Sequence, residues 1–276
     1  MVNTRSLIRR LIPFTVRLEL RRLKRWPAWL VEKSTLAHTR LSPEEHADFQ
    51  HLLACHQSPL ERAPGAGPLR LQLGKERNVS LAASLLNGLV IRPFEIFSYH
   101  HVVGRPSRWR GFRPGLELRE GKPSCGVGGG CCQISNTLYL LALRGGMKIV
   151  ERHRHGLDLF PDHQRTVPFG CGATIFYNFA DLRFENPLSQ PVLLRLSIQN
   201  RMLVGELWTA DDPGWTVEIY EVGHRFFREG EYWMRENHIH RRVRLADGSV
   251  LFDQEVAHNR GRVLYEPPGE ARCGEP

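Results

Sequence analysis

The sequence predicts an α+β fold, with early helices and a central cysteine-bearing helix packed on a mainly antiparallel β-sheet. Two observations lead to this prediction. Helix-like segments lie before Gly146, whereas strand-like segments separated by turn signals follow one another from Thr174 onward. The composition agrees with a globular protein, because 41% of the 276 residues are apolar and 24% are charged.

Two helices are predicted before the centre of the chain. The first covers LSPEEHADFQHLLACHQ, residues 41–57, because SPEE at its start is a capping box. The second covers ERNVSLAASLLNG, residues 76–88, and ends at its Asn-Gly pair. A loop rich in proline and glycine lies at 58–69, and VIRPFEIFSYHHVVG, residues 90–104, is expected to be extended.

The centre of the chain predicts a helix followed by a strand. CQISNTLYLLALRGG, residues 132–146, places its apolar residues on one helical stripe and ends in two glycines. MKIVERHRH, residues 147–155, alternates in the manner of a strand. The residues that share one face of this strand are Ile149, Glu151, His153 and His155. A helix followed by a strand can return that face to the start of the helix.

The last part of the chain is predicted to be β-rich. Its strand-like segments are ATIFYNF, DLRFENP, PVLLRLSIQ, MLVGELW, WTVEIYEV, HIHRRVRL and VLFDQEVA. We therefore expect three parts: a basic amphipathic segment at 1–35, an α+β domain at 36–200, and a β-rich part at 201–276. This last part is expected to extend the same domain or to form a small accessory lobe.

The chain is strongly basic, with a formal net charge of +9 at pH 7. Residues 1–25 hold eight Lys or Arg against one acid, with apolar residues between them. This pattern is typical of an amphipathic helix on an anionic membrane surface; a solvated helix packed on the domain is the alternative. Nucleic acid is not an expected partner, because the basic residues form no recognisable binding module.

Neither a secretory signal nor a membrane-spanning helix is expected. Arg17, Glu19 and Arg21 interrupt the apolar residues near the start, and the chain has no run of eighteen apolar residues. The expected location is therefore the cytoplasm or the inner face of the membrane, as a peripheral protein.

Three cysteines fall within eight residues in CGVGGGCC, residues 125–132. A helix N-terminus stabilises an anion, so one of the adjacent Cys131 and Cys132 is predicted to be a nucleophile that ionises near neutral pH. Gly129 and Gly130 let backbone N–H groups face a developing oxyanion. Gln133 is expected to add an amide donor, with a solvent-facing position as the alternative.

The base for this cysteine is expected to be His155 or His153 on the following strand. Arg105, in the basic loop GRPSRWRGFRPG, is expected to bind substrate carboxylates, with a solvated loop as the alternative. No cofactor and no metal are expected. The alternatives for the cysteines are an ordinary buried thiol, a disulfide in an exported protein, and a zinc site, which the absence of a C-x-x-C motif disfavours.

The segment GGGCCQISNTLYLLALRGGMKIVERHRH resembles the GGGxCQxSTTLY…ERHxHS signature of the VanW family. NGLVIRPFEIFSYHHVVGRP and RTVPFGCGATIFYNFADLRFENP are similar to the flanking family segments, so the resemblance covers about residues 75–200. Some cysteine-containing members are reported to be L,D-transpeptidases, which cross-link peptidoglycan stem peptides through a thioester. The resemblance implies that Cys132 is the family cysteine and that His153 and His155 are the two family histidines.

The sequence departs from the family pattern at two positions near these residues. Cys131 stands where the family commonly has valine, and Gly172 stands where many members have the aspartate of G-x-D-A-T. An orienting carboxylate is therefore not carried over at position 172. The substitutes that this sequence offers are Asp158, Asp162 and Asp181.

These observations leave two functions open. The first is a cysteine acyl-transferase, similar to an L,D-transpeptidase, acting on peptidoglycan stem peptides or precursors. The second is a non-catalytic accessory protein that binds cell-wall precursors in glycopeptide resistance. Cross-linking takes place outside the cytoplasmic membrane, whereas the sequence shows no export signal. Three explanations would reconcile the place of cross-linking with the missing export signal. The substrate is a cytoplasmic precursor, the basic N-terminus has an unrecognised role, or the chemistry has been lost.

Overall fold

The computed structural model describes residues 13–61, 68–119, 122–154, 156–158, 161–162 and 167–268. Their α-helices are α1 Phe14–Glu32, α2 Leu69–Leu86, α3 Tyr99–Val103 and α4 Cys132–Arg144. Their strands are β1 His51–Pro59, β2 Leu89–Ile91, β3 Ile96–Ser98, β4 Pro114–Arg119, β5 Lys122–Val127, β6 Lys148–Glu151, β7 Leu157–Asp158, β8 Arg183–Glu185, β9 Val192–Gln199, β10 Met202–Thr209, β11 Trp215–Glu229, β12 Tyr232–Leu245 and β13 Val250–Val263. The predicted α+β class is confirmed.

The main core lies where α4 packs on an antiparallel sheet of order β1-β10-β9-β2. The apolar stripe of α4 is fully buried at Ile134, Leu138 and Leu141. Each such side chain contributes about 1.5–3 kcal/mol by leaving water. Gly205 of β10 allows the helix to approach, because a Cβ there would lie 2.8 Å from Thr137 Cγ2. The predicted packing of the cysteine-bearing helix on an antiparallel sheet is thus confirmed.

A second sheet has the order β11-β12-β13-β7 and consists mainly of two long hairpins. The turn that joins β12 to β13 contains Asp247-Gly248, and Gly248 has a φ of +85°, which favours glycine. A three-stranded sheet, β3-β8-β6, and the hairpin β4–β5 complete the strands. The β4–β5 hairpin ends just before the central glycines and therefore positions the cysteine that follows them.

The predicted helix at 41–57 is wrong. The capping contact does form, since the Ser42 N–H donates to Glu45 Oε2 over 2.7 Å. Only a short 3-10 turn, Glu44–Asp48, follows, and the remaining residues form β1. Strand β1 pairs along its length with β10, about 150 residues later. Pairing with a distant strand overrides the local capping signal.

Several boundaries also differ from the predicted ones. Helix α2 starts at Leu69 instead of residue 76. Residues 90–104, expected to be extended, contribute to strands β2 and β3 but end in helix α3. ATIFYNF forms no strand, only an isolated bridge between Phe176 and Ala180. The expected domain boundary at 200/201 falls in the turn between two paired strands, β9 and β10.

The predicted amphipathic helix near the N-terminus corresponds to α1, while residues 1–12 lie outside the described residues. No helix that the structure describes is both long and apolar enough to span a membrane.

Candidate active site around Cys132

Three glycines form the turn that presents Cys132 at the start of α4. Gly128 and Gly130 have φ values of +86° and +98°, a region that side chains other than glycine rarely adopt. A Cβ on Gly128 would also lie 2.6 Å from Pro106, and one on Gly130 would lie 2.4 Å from Lys75. The Gly129 carbonyl accepts a hydrogen bond from Asn78 Nδ2 over 2.9 Å. Neighbouring elements thus fix the turn from both sides.

The two adjacent cysteines occupy different environments. Cys131 is the N-cap of α4 and belongs to the main core, with its sulfur 3.9 Å from the Asn78 carbonyl oxygen. Burial raises the pKa of Cys131 to about 12. Cys131 is therefore an ordinary buried thiol that belongs to the main core. Cys132 is the first residue of the helix and is only partly buried.

The electrostatics at Cys132 differ from the sequence-based expectation. Burial raises the pKa of its thiol, the Glu117 carboxylate raises it further, and a hydrogen bond with the Ile175 backbone lowers it. The direction of this shift opposes the prediction that the sulfur ionises near neutral pH, because burial disfavours the charged thiolate. The backbone N–H of Cys132 has no backbone acceptor among the described residues, so one donor lies next to the sulfur.

A loop at residues 169–175 covers this end of α4. Ser135 Oγ donates to the Ala173 carbonyl over 2.6 Å, and Asn136 Oδ1 accepts from the Ala173 N–H over 2.8 Å. A Cβ on Gly172 would lie 2.8 Å from Asn136 Oδ1. Asn136 thus fills the space that an aspartate at position 172 would need.

Arg152 fastens this loop from the opposite side. Its Nε donates to the Gly172 carbonyl over 2.9 Å, and its Nη2 donates to the Gly170 carbonyl. The guanidinium lies 4.5 Å from the centre of the Tyr139 ring. Nη2 also donates to Asn259 Oδ1 over 3.2 Å, which connects Arg152 and this loop to β13.

The second sheet holds the same loop through two asparagines. Asn237 Nδ2 of β12 donates to the Phe169 carbonyl over 2.9 Å, and Asn259 Nδ2 donates to Asn237 Oδ1 over 3.0 Å. Both asparagines are completely buried. The loop over Cys132 is therefore fixed jointly by α4, Arg152 and the β12–β13 hairpin.

His153 lies just beyond β6, beside this loop. Its carbonyl accepts from the Thr174 N–H over 2.7 Å, one residue before the Ile175 backbone group that contacts the Cys132 sulfur. Its Nε2 lies 2.9 Å from Glu151 Oε1, and 45% of its side chain is exposed. His155 lies outside the described residues.

Glu151 is the carboxylate that the sequence left unassigned. It also accepts from the Asp181 N–H over 3.1 Å, so its position is fixed. The three candidate aspartates have other partners: Asp158 and Asp162 pair with Arg235, and Asp181 accepts from Ser98 Oγ. The sequence contained a signal for this pairing, because Glu151 and His153 are two residues apart and alternate residues of a strand share one face.

His100 is a further buried group that the sequence did not single out. Its Nε2 lies 2.9 Å from the Ala180 carbonyl oxygen, while its Nδ1 is buried without a partner in the described structure. Its backbone N–H donates to Asp181 Oδ1 over 3.1 Å. Burial raises the pKa of Asp181, and the neighbouring His100 opposes that rise. The neighbouring Tyr99 lies beside the Cys131 sulfur, and burial raises its pKa well above the usual value.

Gln133 and Arg105 both have partners within the protein. Gln133 Nε2 donates to Ser58 Oγ over 2.9 Å and to the Pro59 carbonyl over 2.7 Å, so its amide ties α4 to β1. Arg105 forms an exposed ion pair with Glu19 of α1, with 3.1 Å between nitrogen and oxygen. Of the four predicted oxyanion or substrate residues, only Gly129 and Gly130 lie in the turn before Cys132.

The five cysteines that the structure describes, Cys55, Cys125, Cys131, Cys132 and Cys171, are all free thiols. Within the same part of the chain, no three His, Cys, Asp or Glu side chains come together to hold a metal ion.

Comparison with known proteins identifies relatives of this arrangement. The family model "VanW like protein" matches residues 74–208. The chain is 34% identical over 140 residues to the uncharacterized protein YoaR of Bacillus subtilis, a match that covers 50% of this chain and only 44% of YoaR. It is 27% identical over 198 residues to the vancomycin B-type resistance protein VanW of Enterococcus faecalis, covering 71% of this chain and 72% of that protein. No solved structure matches the chain.

Proposed function

Since the chain belongs to the VanW family through residues 74–208, we propose that it is a cysteine acyl-transferase acting on peptidoglycan stem peptides or their precursors. The observation that carries the proposal is the His153–Glu151 pair, held beside the loop that covers Cys132. A thiol, an imidazole and a carboxylate that orients the imidazole are the three groups that acyl transfer requires.

Each group has a role that follows from its contacts. His153 donates from Nε2 to Glu151, which leaves the Nδ1 lone pair to take the thiol proton. The Cys132 sulfur attacks the amide carbon of a stem peptide, and the carbonyl oxygen becomes an oxyanion. The backbone N–H of Cys132 stabilises this oxyanion.

Collapse of the intermediate breaks the C–N bond. The imidazolium returns its proton to the departing amine, and a thioester remains on Cys132. A second amine then attacks the thioester carbonyl, which gives a new amide and restores the thiol. Attack by water gives a carboxylate instead, so the acceptor decides between cross-linking and hydrolysis.

The raised pKa of Cys132 sets a condition on the first step. The thiol is neutral in the substrate-free chain, so proton transfer to His153 accompanies the attack and does not precede it. This requires a neutral imidazole.

Binding without catalysis is the second candidate, and the same raised pKa favours it. A half-buried neutral thiol contacted by a backbone N–H fits a packed recognition surface as well as a resting nucleophile. In that case the family domain holds cell-wall precursors without forming a covalent bond to them.

Incubation with purified stem peptides followed by intact-protein mass spectrometry distinguishes the two candidates. The acyl-transferase forms an adduct on Cys132 whose mass equals the peptide minus the departing amine. Cys132→Ala should abolish this adduct, and His153→Gln should slow its formation by at least a hundredfold. Cys131→Val is the matched control and should retain the adduct, because Cys131 is a buried core residue. Peptide binding without any adduct would favour the binding function.

A further inference from the structure

Helix α1 exposes an apolar face that nothing in the described structure covers. The outward residues recur at intervals of four, three, four and three, which is one stripe of a helix. They are Val16, Leu20, Leu23, Pro27 and Leu30, with Trp26 and Val31 beside them. Leu23 is 60% exposed and Leu30 is 69% exposed. Apolar side chains concentrated in this way mark a contact surface.

Two ion pairs join α1 to the rest of the protein. Glu19 pairs with Arg105 over 3.1 Å, and Glu32, at the end of the helix, pairs with Arg183 over 2.7 Å. Because these pairs lie almost four helical turns apart, they attach both ends of the helix to the body. The exposed apolar residues of α1 lie outside the protein's core clusters.

The loop that Arg105 joins to α1 carries a second exposed apolar group. Arg110 Nη1 donates to the Arg105 carbonyl over 3.1 Å, and the neighbouring Trp109 is 99% exposed. Arg108 and Arg110, on either side of Trp109, are also exposed. An indole between two guanidinium groups suits the boundary between lipid headgroups and acyl chains.

The charges of α1 distinguish between two candidate partners for this face, a second copy of the chain and an anionic lipid surface. Lys24 is exposed on α1, and the helix sequence FTVRLELRRLKRWPAWLVE has five basic residues and two acids. A second copy of the chain would bring two such basic helices together, which like-charge repulsion opposes. An anionic lipid surface attracts the same charges and accepts the apolar stripe.

We propose that α1 and the Trp109 loop dock this protein on the surface of an anionic bilayer, with the helix lying in the plane of the headgroups. The docking goes beyond the cysteine chemistry and does not depend on it. It also brings the active-site turn close to the membrane, because Pro106 of the same loop packs against Gly128. A lipid-linked substrate would then meet Cys132 without leaving the bilayer.

Vesicle sedimentation with the full chain tests this proposal. Phosphatidylcholine vesicles are compared with vesicles that also contain phosphatidylglycerol. The protein should bind the anionic vesicles at least tenfold more strongly than the neutral ones, and rising salt should weaken this binding. Leu23→Glu/Leu30→Glu should lower the partition coefficient at least tenfold, and Trp109→Ala should lower it severalfold.

Val250→Glu/Leu251→Glu is the matched control, because it adds the same charges at two exposed apolar residues of β13. This control should bind as the unchanged protein does, and circular dichroism should show that every variant is folded. Equal binding to both kinds of vesicle, or full binding by both the double variant and Trp109→Ala, would overturn the proposal. A dimer that the double variant converts to monomer would also overturn it, because the face would then be covered by a second copy.

Discussion

Replacing Arg152 by alanine should both destabilise the protein and expose Cys132. The substitution removes the donors to the Gly170 and Gly172 carbonyls and the contact with the Tyr139 ring. Two hydrogen bonds from a charged group at about 1.5 kcal/mol each predict a loss of about 3 kcal/mol in the free energy of unfolding. Urea unfolding followed by circular dichroism measures this loss.

The effect on the thiol follows from the causes of its pKa. Burial is the largest cause that raises the pKa of Cys132, and the Ile175 contact that lowers it is smaller. A loosened loop reduces both, so the net change should be a lower pKa and a more accessible sulfur. Each pKa unit corresponds to about tenfold more thiolate below the pKa. Iodoacetamide should therefore label Cys132 of the variant severalfold to tenfold faster at pH 8.

Two further variants make this result specific. Arg154→Ala removes an exposed arginine two residues away and should change the free energy of unfolding by less than about 1 kcal/mol. Arg152→Lys keeps the charge, but one ammonium group does not reproduce the planar fork, so its effect should fall between the other two. Unchanged stability and unchanged labelling in Arg152→Ala would refute the claim that Arg152 holds the loop over Cys132.

Three other outcomes are expected. In the unmodified protein, the rate at which iodoacetamide labels Cys132 should keep rising with pH above 9, because the pKa of this thiol is raised from the ordinary value of 9.0. The exposed Cys55 and Cys125 should react first. A labelling rate for Cys132 that levels off near pH 7 would contradict this prediction. Gly130→Ala should cost at least about 1–2 kcal/mol in thermal or urea unfolding, because of its φ of +98° and the 2.4 Å approach to Lys75. Leu141→Ala should cost about 3–5 kcal/mol in the same assays, because this fully buried side chain leaves a cavity, and a cost below 1 kcal/mol would place it outside the core.

The elements that the sequence predicted correctly have signals carried by consecutive residues. CQISNTLYLLALRGG has both an apolar stripe and a stop, and α4 spans Cys132–Arg144 as a result. The errors occur where a distant contact decides the structure. The segment at 51–59 became a strand through pairing with β10. Helix α2 starts before the predicted residue 76 and includes Gly74, where only glycine fits because a Cβ would lie 2.0 Å from the Pro114 carbonyl oxygen.

The candidate site divides in the same way. The position of Cys132 at a helix start and of His153 two residues after Glu151 follows from spacing within short motifs. The direction of the Cys132 pKa shift does not, because the loop that buries the sulfur lies about forty residues later in the chain. Local sequence showed the helix N-terminus, which lowers a thiol pKa, but not the desolvation that outweighs it.

The β12–β13 hairpin is part of the candidate active site, although the family match ends at residue 208. Asn237 and Asn259 are buried and reach the Phe169 carbonyl and Arg152, so this hairpin and α4 hold the same loop. An accessory lobe would instead contact the domain at its own surface and leave the loop intact when removed. Removal of β11–β13 would take away Asn259, a partner of Arg152, and would leave the Phe169 carbonyl without its donor. These contacts support the prediction that residues 201–276 extend the domain that carries Cys132, over the alternative of a separate lobe.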